Sequence, residues 1–313
     1  MTSSTSSSKS LNVVTYNVLA PKWLIWQQKE GHGYDKIDLM QLEWPHRFAN
    51  LSRVLEAAIR DDLADVFALQ EMQDTRFDDF LGFFRQHGFS GVFQETDNKY
   101  PIGAAFFWRE STLKLKQIEH RSRSIVACFE HNNELVFVAN CHLEANKPDL
   151  YNGSKRLEQV VSTLKRLTLM IEKEKATVES ARVVFCGDLN CLDREETYKF
   201  LAEGALPALY EQSLRVGNDY VSRAGDSAVV TKKAIAHPFK FLSAFAVANN
   251  NQEPPYTFVG KDGAFTLDYV FVANFTVERT ELLTGAIEEP PPYGQLPNDA
   301  CPSDHLGLKS RLH

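Results

Sequence analysis

Paired cysteines are missing from this chain. The five it has, Cys128, Cys141, Cys186, Cys191 and Cys301, form an odd set without CxxC spacing, which argues against zinc and against a disulfide framework. Buried reduced thiols are the expectation. No apolar run approaches the length of a membrane span. The opening MTSSTSSSKS has neither an apolar signal core nor an Arg-rich amphipathic pattern, so residues 1–10 read as a disordered polar tail and the expected location is cytoplasmic and also nuclear, with no membrane association. A basic excess is missing too: 34 Lys+Arg against 41 Asp+Glu leave a formal charge of −7. That composition offers no general attraction for nucleic acid and no evident duplex-DNA groove. A polyanionic substrate must be held by a local site, by a metal or by stacking, which favours a short or single-stranded one. Nothing repeats at a solenoid period.

What is present is apolar content enough for a large core, 43% of 313 residues, and no convincing boundary, so 11–313 reads as one catalytic domain. Four β-branched and aromatic runs each end in a residue able to touch a metal or a phosphate: LNVVTY before Asn17, VFALQ before Glu71, LVFVANC before His142 and RVVFCG before Asp188. YVFVA and LGLKSRL instead begin with such residues, Asp268 for one, Asp304 and His305 for the other. Strands of opposite direction would bring all of them to one rim of a sheet.

Between these runs the chain alternates strands and helices. A loop carrying Trp23, Trp26 and His32 precedes a helix marked by Phe48, Leu51, Val54, Leu55, Ala58 and Ile59 at helical spacing. Phe77, Phe80, Leu81 and Phe84 predict a second helix. IVACFE and ELVFVANC flank the polar turn His131 to Asn133 as a hairpin, and a third helix runs from about Ser154 with Leu157, Val160, Val161, Leu164, Leu167 and Ile171 as its stripe. Residues 213–237 and the Pro-rich 285–302 read as loops near the rim.

Six motifs in order, TYNVLA (15–20), LQE (69–71), CHL (141–143), GDLN (187–190), LDYVF (267–271) and SDH (303–305), resemble the endonuclease/exonuclease/phosphatase superfamily. LEWPHR (42–47), PPYTF (254–258) and LPNDACPSDH (296–305) resemble its carbon-catabolite-repressor, nocturnin and Angel deadenylase branch. The resemblance implies an α/β fold, a DNase I-like four-layer αββα sandwich of two mixed β-sheets flanked by helices, with one active site at its rim. It also implies Mg²⁺, with Mn²⁺ as a substitute, because hard cations suit carboxylate oxygens and retained water. On this reading Glu71 is the metal ligand, with Asn17 and Asp304 completing the metal or leaving-group side. Asp188 positions or deprotonates the attacking water, and Asn190 hydrogen-bonds a phosphate oxygen. His142 and His305 stabilise charge on the phosphate, His305 being oriented by Asp268.

Tyr256, Phe258 and Phe265 are candidates for stacking on bases, or for core packing. Two departures bear on substrate. The acidic residue that many branch members carry before Gly103 is absent, and Glu144 and Asn146 stand where nocturnin-like proteins are basic, which disfavours a dinucleotide 2′-phosphate. Lys147, Lys155 and Arg156 could contact a backbone phosphate. The expected activity is a metal-dependent phosphodiesterase, a 3′–5′ exoribonuclease of the poly(A) deadenylase type acting on single-stranded RNA or a short nucleotide. Cleavage of 2′-5′ oligoadenylate, of 2′,3′-cyclic phosphate RNA ends or of a small phosphate ester stays open on the same residues. A catalytically idle RNA-binding module is disfavoured because every catalytic group is present.

Overall fold

In this computed structural model the described residues are 10–29, 37–95, 101–145, 150–207, 234–260, 263–284 and 296–313. The strands in chain order are β1 (Leu11–Asn17), β2 (Val66–Gln73), β3 (Phe89–Phe93), β4 (Ile102–Arg109), β5 (Leu113–His120), β6 (Ser124–His131), β7 (Glu134–His142), β8 (Arg182–Asp188), β9 (Ala205–Leu206), β10 (Ile235–Ala236), β11 (Leu242–Ser243), β12 (Phe258–Gly260), β13 (Gly263–Phe265), β14 (Asp268–Ala273), β15 (Val277–Leu282) and β16 (Leu308–Leu312). The helices are α1 (Pro21–Lys29), α2 (Trp44–Arg60), α3 (Asp74–Gln86), α4 (Leu150–Lys173), α5 (Glu196–Glu203) and α6 (Ala244–Ala248). Two mixed six-stranded sheets result, ordered β15-β16-β1-β2-β4-β3 and β11-β14-β8-β7-β6-β5. Each sheet contains one parallel pair, β1 with β2 and β7 with β8.

Strand alternation builds the layers. Successive side chains of a strand point to opposite faces, so Val13 joins the core between the sheets while Val14 and Tyr16 join the core under α2 and α3. Likewise Val184 and Cys186 face the inter-sheet core, and Val183 and Phe185 pack on the side covered by α4 and α5. The order helix, sheet, sheet, helix is the four-layer αββα sandwich expected from the sequence. All five cysteines are free and buried. Among the described residues no helix is long and apolar enough to cross a membrane.

Several expectations change in detail. Trp23 and Trp26 lie on α1 rather than in a loop, and α4 begins at Leu150, a turn before Ser154. His32 lies outside the described residues, as do Asn146, Lys147, most of 213–237 and the part of the Pro-rich segment before Leu296.

Candidate active site

Strand register delivers the site. Asp188, the last residue of β8, pairs with His142 at the end of β7 and with Asp268 at the start of β14. Three chemical groups from distant parts of the chain therefore stand side by side on one rim. This alignment needs Gly187: its φ is +134°, and a Cβ there would lie 2.0 Å from the Cys141 carbonyl oxygen, a contact only glycine avoids.

The facing sheet contributes Asn17 and Glu71. Asn17 ends β1, while Glu71 sits where the β2–β4 register shifts between Leu69 and Met72, with φ +54°. A bulge of this kind re-aims a side chain that regular pleating would send elsewhere. The Glu71 carboxylate accepts from the Ala20 amide at 2.9 Å and from Asn17 Nδ2 at 3.2 Å. The same Asn17 Nδ2 donates to Asp188 Oδ2 at 3.0 Å, and Asn17 Oδ1 accepts from the Leu19 amide at 3.0 Å. Asn17 thus bridges the two acidic groups across the sheets. Its carboxamide oxygen, which accepts the Leu19 amide, keeps a second lone pair on the side expected for a metal.

His305 completes the rim. Its Nδ1 lies 2.8 Å from Asp268 Oδ2 and its Nε2 3.7 Å from Asp188 Oδ2. The preceding Ser303 donates to the Asn17 carbonyl at 2.7 Å and its Oγ accepts from the His305 amide at 3.2 Å, tying the two loops together. Asp268 is aligned by Thr257, whose hydroxyl oxygen accepts from the Leu267 and Asp268 amides, both at 3.0 Å. Burial alone would lower the His305 pKa, but the Asp268 and Asp188 carboxylates and the hydrogen bond outweigh it and lift the imidazole to about 10. His305 is therefore a cation at neutral pH. Burial, with the Arg123 and His305 charges, pushes His142 down to about 3, so His142 is neutral although its Nε2 lies 3.8 Å from Glu71 Oε1 and 3.7 Å from Asp188 Oδ2.

Both facing carboxylates are held up. Burial raises Glu71, and the Asp304 charge adds to it. Burial also lifts Asp188 to about 7, with Asp268 adding and His305, Asn17 and the Asn190 amide opposing. Acids raised chiefly by burial have lost the hydration that stabilises their charged form, a loss that a bound cation would offset. Asp268 Oδ1 is in addition buried without a hydrogen-bond partner, another unmet demand for a cation or donor. The donor set therefore fits a hard divalent ion. Asp188, Asp268 and His305 offer ligand atoms within 4.8 Å of one another, with the His305 Nδ1 already engaged by Asp268 at 2.8 Å. The Glu71 and His142 side chains, 14% and 17% exposed against 2% for Asp188 and none for Asp268, make the Glu71–His142 side of the cluster the more open to solvent. The buried Asp304 acts on Glu71 through its charge.

Asn190, at φ +48°, donates its backbone amide to Asp188 Oδ1 at 2.9 Å and its Nδ2 to the Leu143 carbonyl at 3.1 Å, which leaves its carboxamide oxygen and one side-chain N–H for a ligand. Phe258 forms a backbone bridge to His305, its ring 4.9 Å from the imidazole, and pairs with Phe265 in the β12–β13 hairpin. Both are half-buried beside the site. Tyr256 is corrected: it is buried with Val259, Leu296, Cys301 and Leu306, and offers no face for a base. Arg156 is likewise unavailable, since its buried guanidinium is paired with Glu195 at 3.0 Å.

Sequence reasoning missed Arg47, fully buried on α2, which donates to the Val18 and Leu19 carbonyls at 2.9 and 2.8 Å and to Pro302 at 3.3 Å. Its placement inside LEWPHR, directly before an apolar helix, was the available signal. It also missed Arg123, whose carbonyl accepts the His142 amide at 2.9 Å.

A two-sheet αββα sandwich whose rim gathers Glu, His, Asp, Asn and an Asp–His dyad defines a DNase I-like phosphoesterase architecture. Residues 14–305 match the Endonuclease/Exonuclease/phosphatase family, and the chain belongs to it, in the Ccr4, nocturnin and Angel branch. It is 23% identical over 361 residues to the CCR4-Not complex 3′-5′-exoribonuclease subunit Ccr4 of Mycosarcoma maydis, covering 97% of this chain and 50% of that one. Nocturnin of Rattus norvegicus is 25% identical over 92% of this chain and 63% of its own length. The chain thus spans about half to two-thirds of the length of these relatives. The crystal structure of ANGEL2, a 2′,3′-cyclic phosphatase, superposes with TM-score 0.77 at 20% identity, covering 97% of this chain and 95% of that one.

Proposed function

We propose that the protein is a Mg²⁺-dependent phosphodiesterase, and within that class a 3′–5′ exoribonuclease of deadenylase type that releases nucleoside 5′-monophosphates from single-stranded RNA. The observation that carries this reading is the meeting of Glu71, His142, Asp188 and the Asp268–His305 dyad at one rim, with Glu71 and Asp188 resisting ionisation there. Glu71, with Asp304 on its side of the pocket, would hold the ion, and Mn²⁺ would substitute. A bound ion neutralises a nonbridging phosphate oxygen and polarises the phosphorus.

The remaining work falls to the chain's own groups. Asp188 Oδ2, pushed up to about 7 and 3.7 Å from both imidazoles, is tuned to accept a proton from the attacking water near neutral pH. Asn190 orients a phosphate oxygen. His305, kept protonated and oriented by Asp268, donates from Nε2 as charge builds on the phosphate. The neutral His142 supplies a second polar nitrogen on the more open side. The Ccr4 relatives, named as 3′-5′ exoribonucleases, support the direction of cleavage proposed.

The test is product analysis with purified protein and Mg²⁺ on 5′-labelled oligo(A), oligo(U), 2′-5′ oligoadenylate and RNA ending in a 2′,3′-cyclic phosphate, with Asp188→Asn as control. Stepwise shortening of oligo(A), lost in the control, supports the reading. Opening of the cyclic phosphate without shortening would replace the substrate by the one ANGEL2 is named for. Inertness toward the whole panel would remove the reading itself.

A further inference from the structure

Beside the catalytic rim lies a cavity of about 280 Å³ whose lining includes Arg121, Arg123 and Lys155 and one carboxylate, Glu158. The first two belong to the tight turn joining β5 to β6, closed by the Arg121 amide on the Ser124 carbonyl at 2.8 Å; Lys155 lies on α4. The turn is bonded to the active site through the His142 amide on the Arg123 carbonyl. In a chain of net charge −7, three cations against the single lining carboxylate Glu158 form a local exception. Their present compensation is partial. Arg123 Nη2 and Lys155 Nζ share the Glu144 carboxylate at 2.5 and 3.3 Å. Arg121 has no carboxylate partner among the described residues; its Nη2 donates to Ser162 Oγ at 3.2 Å and its Nε is buried with no hydrogen-bond partner.

A guanidinium without a carboxylate partner, next to a second guanidinium and an ammonium gathered on one carboxylate, is an arrangement suited to phosphate oxygens. Glu144 follows His142 by two residues, so the opening and the rim are neighbours along the same surface. We infer that this cleft is a second phosphate site, holding a non-scissile phosphodiester of a single-stranded oligonucleotide, with Glu144 as a resident anion that the phosphate displaces. The inference rests on the phosphodiesterase reading for its substrate class. It explains how an acidic protein grips a polyanion: by a built local site rather than by overall charge.

The experiment measures binding apart from turnover. Fluorescence anisotropy of 5′-labelled oligo(A) is recorded in EDTA for the wild type, Arg121→Gln/Arg123→Gln, Lys155→Gln and Glu144→Gln, with circular dichroism confirming each fold. The double variant should bind about tenfold more weakly and with a shallower dependence on salt. Lys155→Gln, at a half-exposed position, should weaken binding a few-fold. Glu144→Gln should tighten it, a direction that a merely structural carboxylate would not produce. Unchanged binding in the double and Lys155 variants, or weaker binding after Glu144→Gln, overturns the inference. Competition by inorganic phosphate as effective as by unlabelled oligo(A) would also overturn it, identifying a free-anion site. Absence of phosphodiesterase turnover with Mg²⁺ is a separate result, bearing on the proposed reaction and not on this binding.

Discussion

Asp188 and Asp268 stand directly opposite each other across the β8–β14 ladder, with the His305 ring 3.7 Å from the first and 2.8 Å from the second. Like charges paired across strands repel, and at this buried rim the cost is offset by the imidazolium between them. His305→Gln should therefore do two things. It should lower kcat by roughly 10²–10⁴, the range expected for losing a charged donor to the transition state. It should also lower the melting temperature in EDTA, with added Mg²⁺ restoring part of the loss. Wild-type turnover in the variant would remove His305 from the chemistry.

The raised Asp188 makes apo stability depend on pH. Its native pKa of about 7 lies above its usual 3.8, so between these values the native state holds a proton that the unfolded chain releases. Its contribution is complete below about 3.8 and is lost as pH rises through about 7. His305, lifted from 6.5 to about 10, contributes fully below 6.5 and loses its contribution as pH passes 10. A divalent ion competes with the Asp188 proton, so the rise in melting temperature caused by Mg²⁺ should grow from pH 5 to pH 7.5 and level off above. Scanning calorimetry with and without Mg²⁺ across that range checks it; a shift independent of pH would contradict the assignment.

Arg47 is a fastening between the two loops that bear catalytic groups. Its guanidinium spans the Val18 and Leu19 carbonyls after Asn17 and the Pro302 carbonyl before Ser303. Arg47→Met keeps the apolar stem but leaves buried carbonyls without donors, a loss of roughly 2–4 kcal/mol at typical costs per unsatisfied group. Urea denaturation should record that loss. Because Ser303 reaches back to the Asn17 carbonyl, kcat should fall as well, while Arg47→Lys should recover part of the stability and little of the activity.

The polar ends of the strands, and so the gathering of these residues at one rim, were legible because a strand that stops on Asn, Glu, His or Asp advertises its rim. The layered fold followed from the same motifs in order. What pairing decides was hidden. That His142, Asp188 and Asp268 stand in one register row depends on contacts between segments far apart in sequence. That Asn17 spends both ends of its carboxamide on neighbours depends on a carboxylate 171 positions away. Glu71 reaches the pocket from a bulge at positive φ, which LQE does not announce. Tyr256, next to prolines, reads like a presented aromatic and is instead sealed by Leu296 and Leu306 from a later segment. The basic cleft is invisible in composition because Glu144, Glu158 and the overall acidity mask three cations.

Gly187 offers the sharpest separation of fold from chemistry. It precedes the proton acceptor, faces Cys141 in the parallel β7–β8 ladder, and adopts φ +134°. A methyl group would meet the Cys141 carbonyl oxygen at 2.0 Å and its amide nitrogen at 2.8 Å, both backbone atoms that cannot rotate away. Gly187→Ala must then either break the β7–β8 pairing or turn the peptide before Asp188, and either response moves Asp188 relative to His142. The expected cost is at least roughly 2–3 kcal/mol from strained backbone and displaced pairing, seen as a lower urea midpoint. Turnover should fall further than stability explains, since a displacement of about 1 Å at a reacting group is worth on the order of 10²-fold. A Gly187→Ala protein with wild-type kcat at a temperature where it is fully folded would mean that the register of β7, β8 and β14 does not set the catalytic geometry.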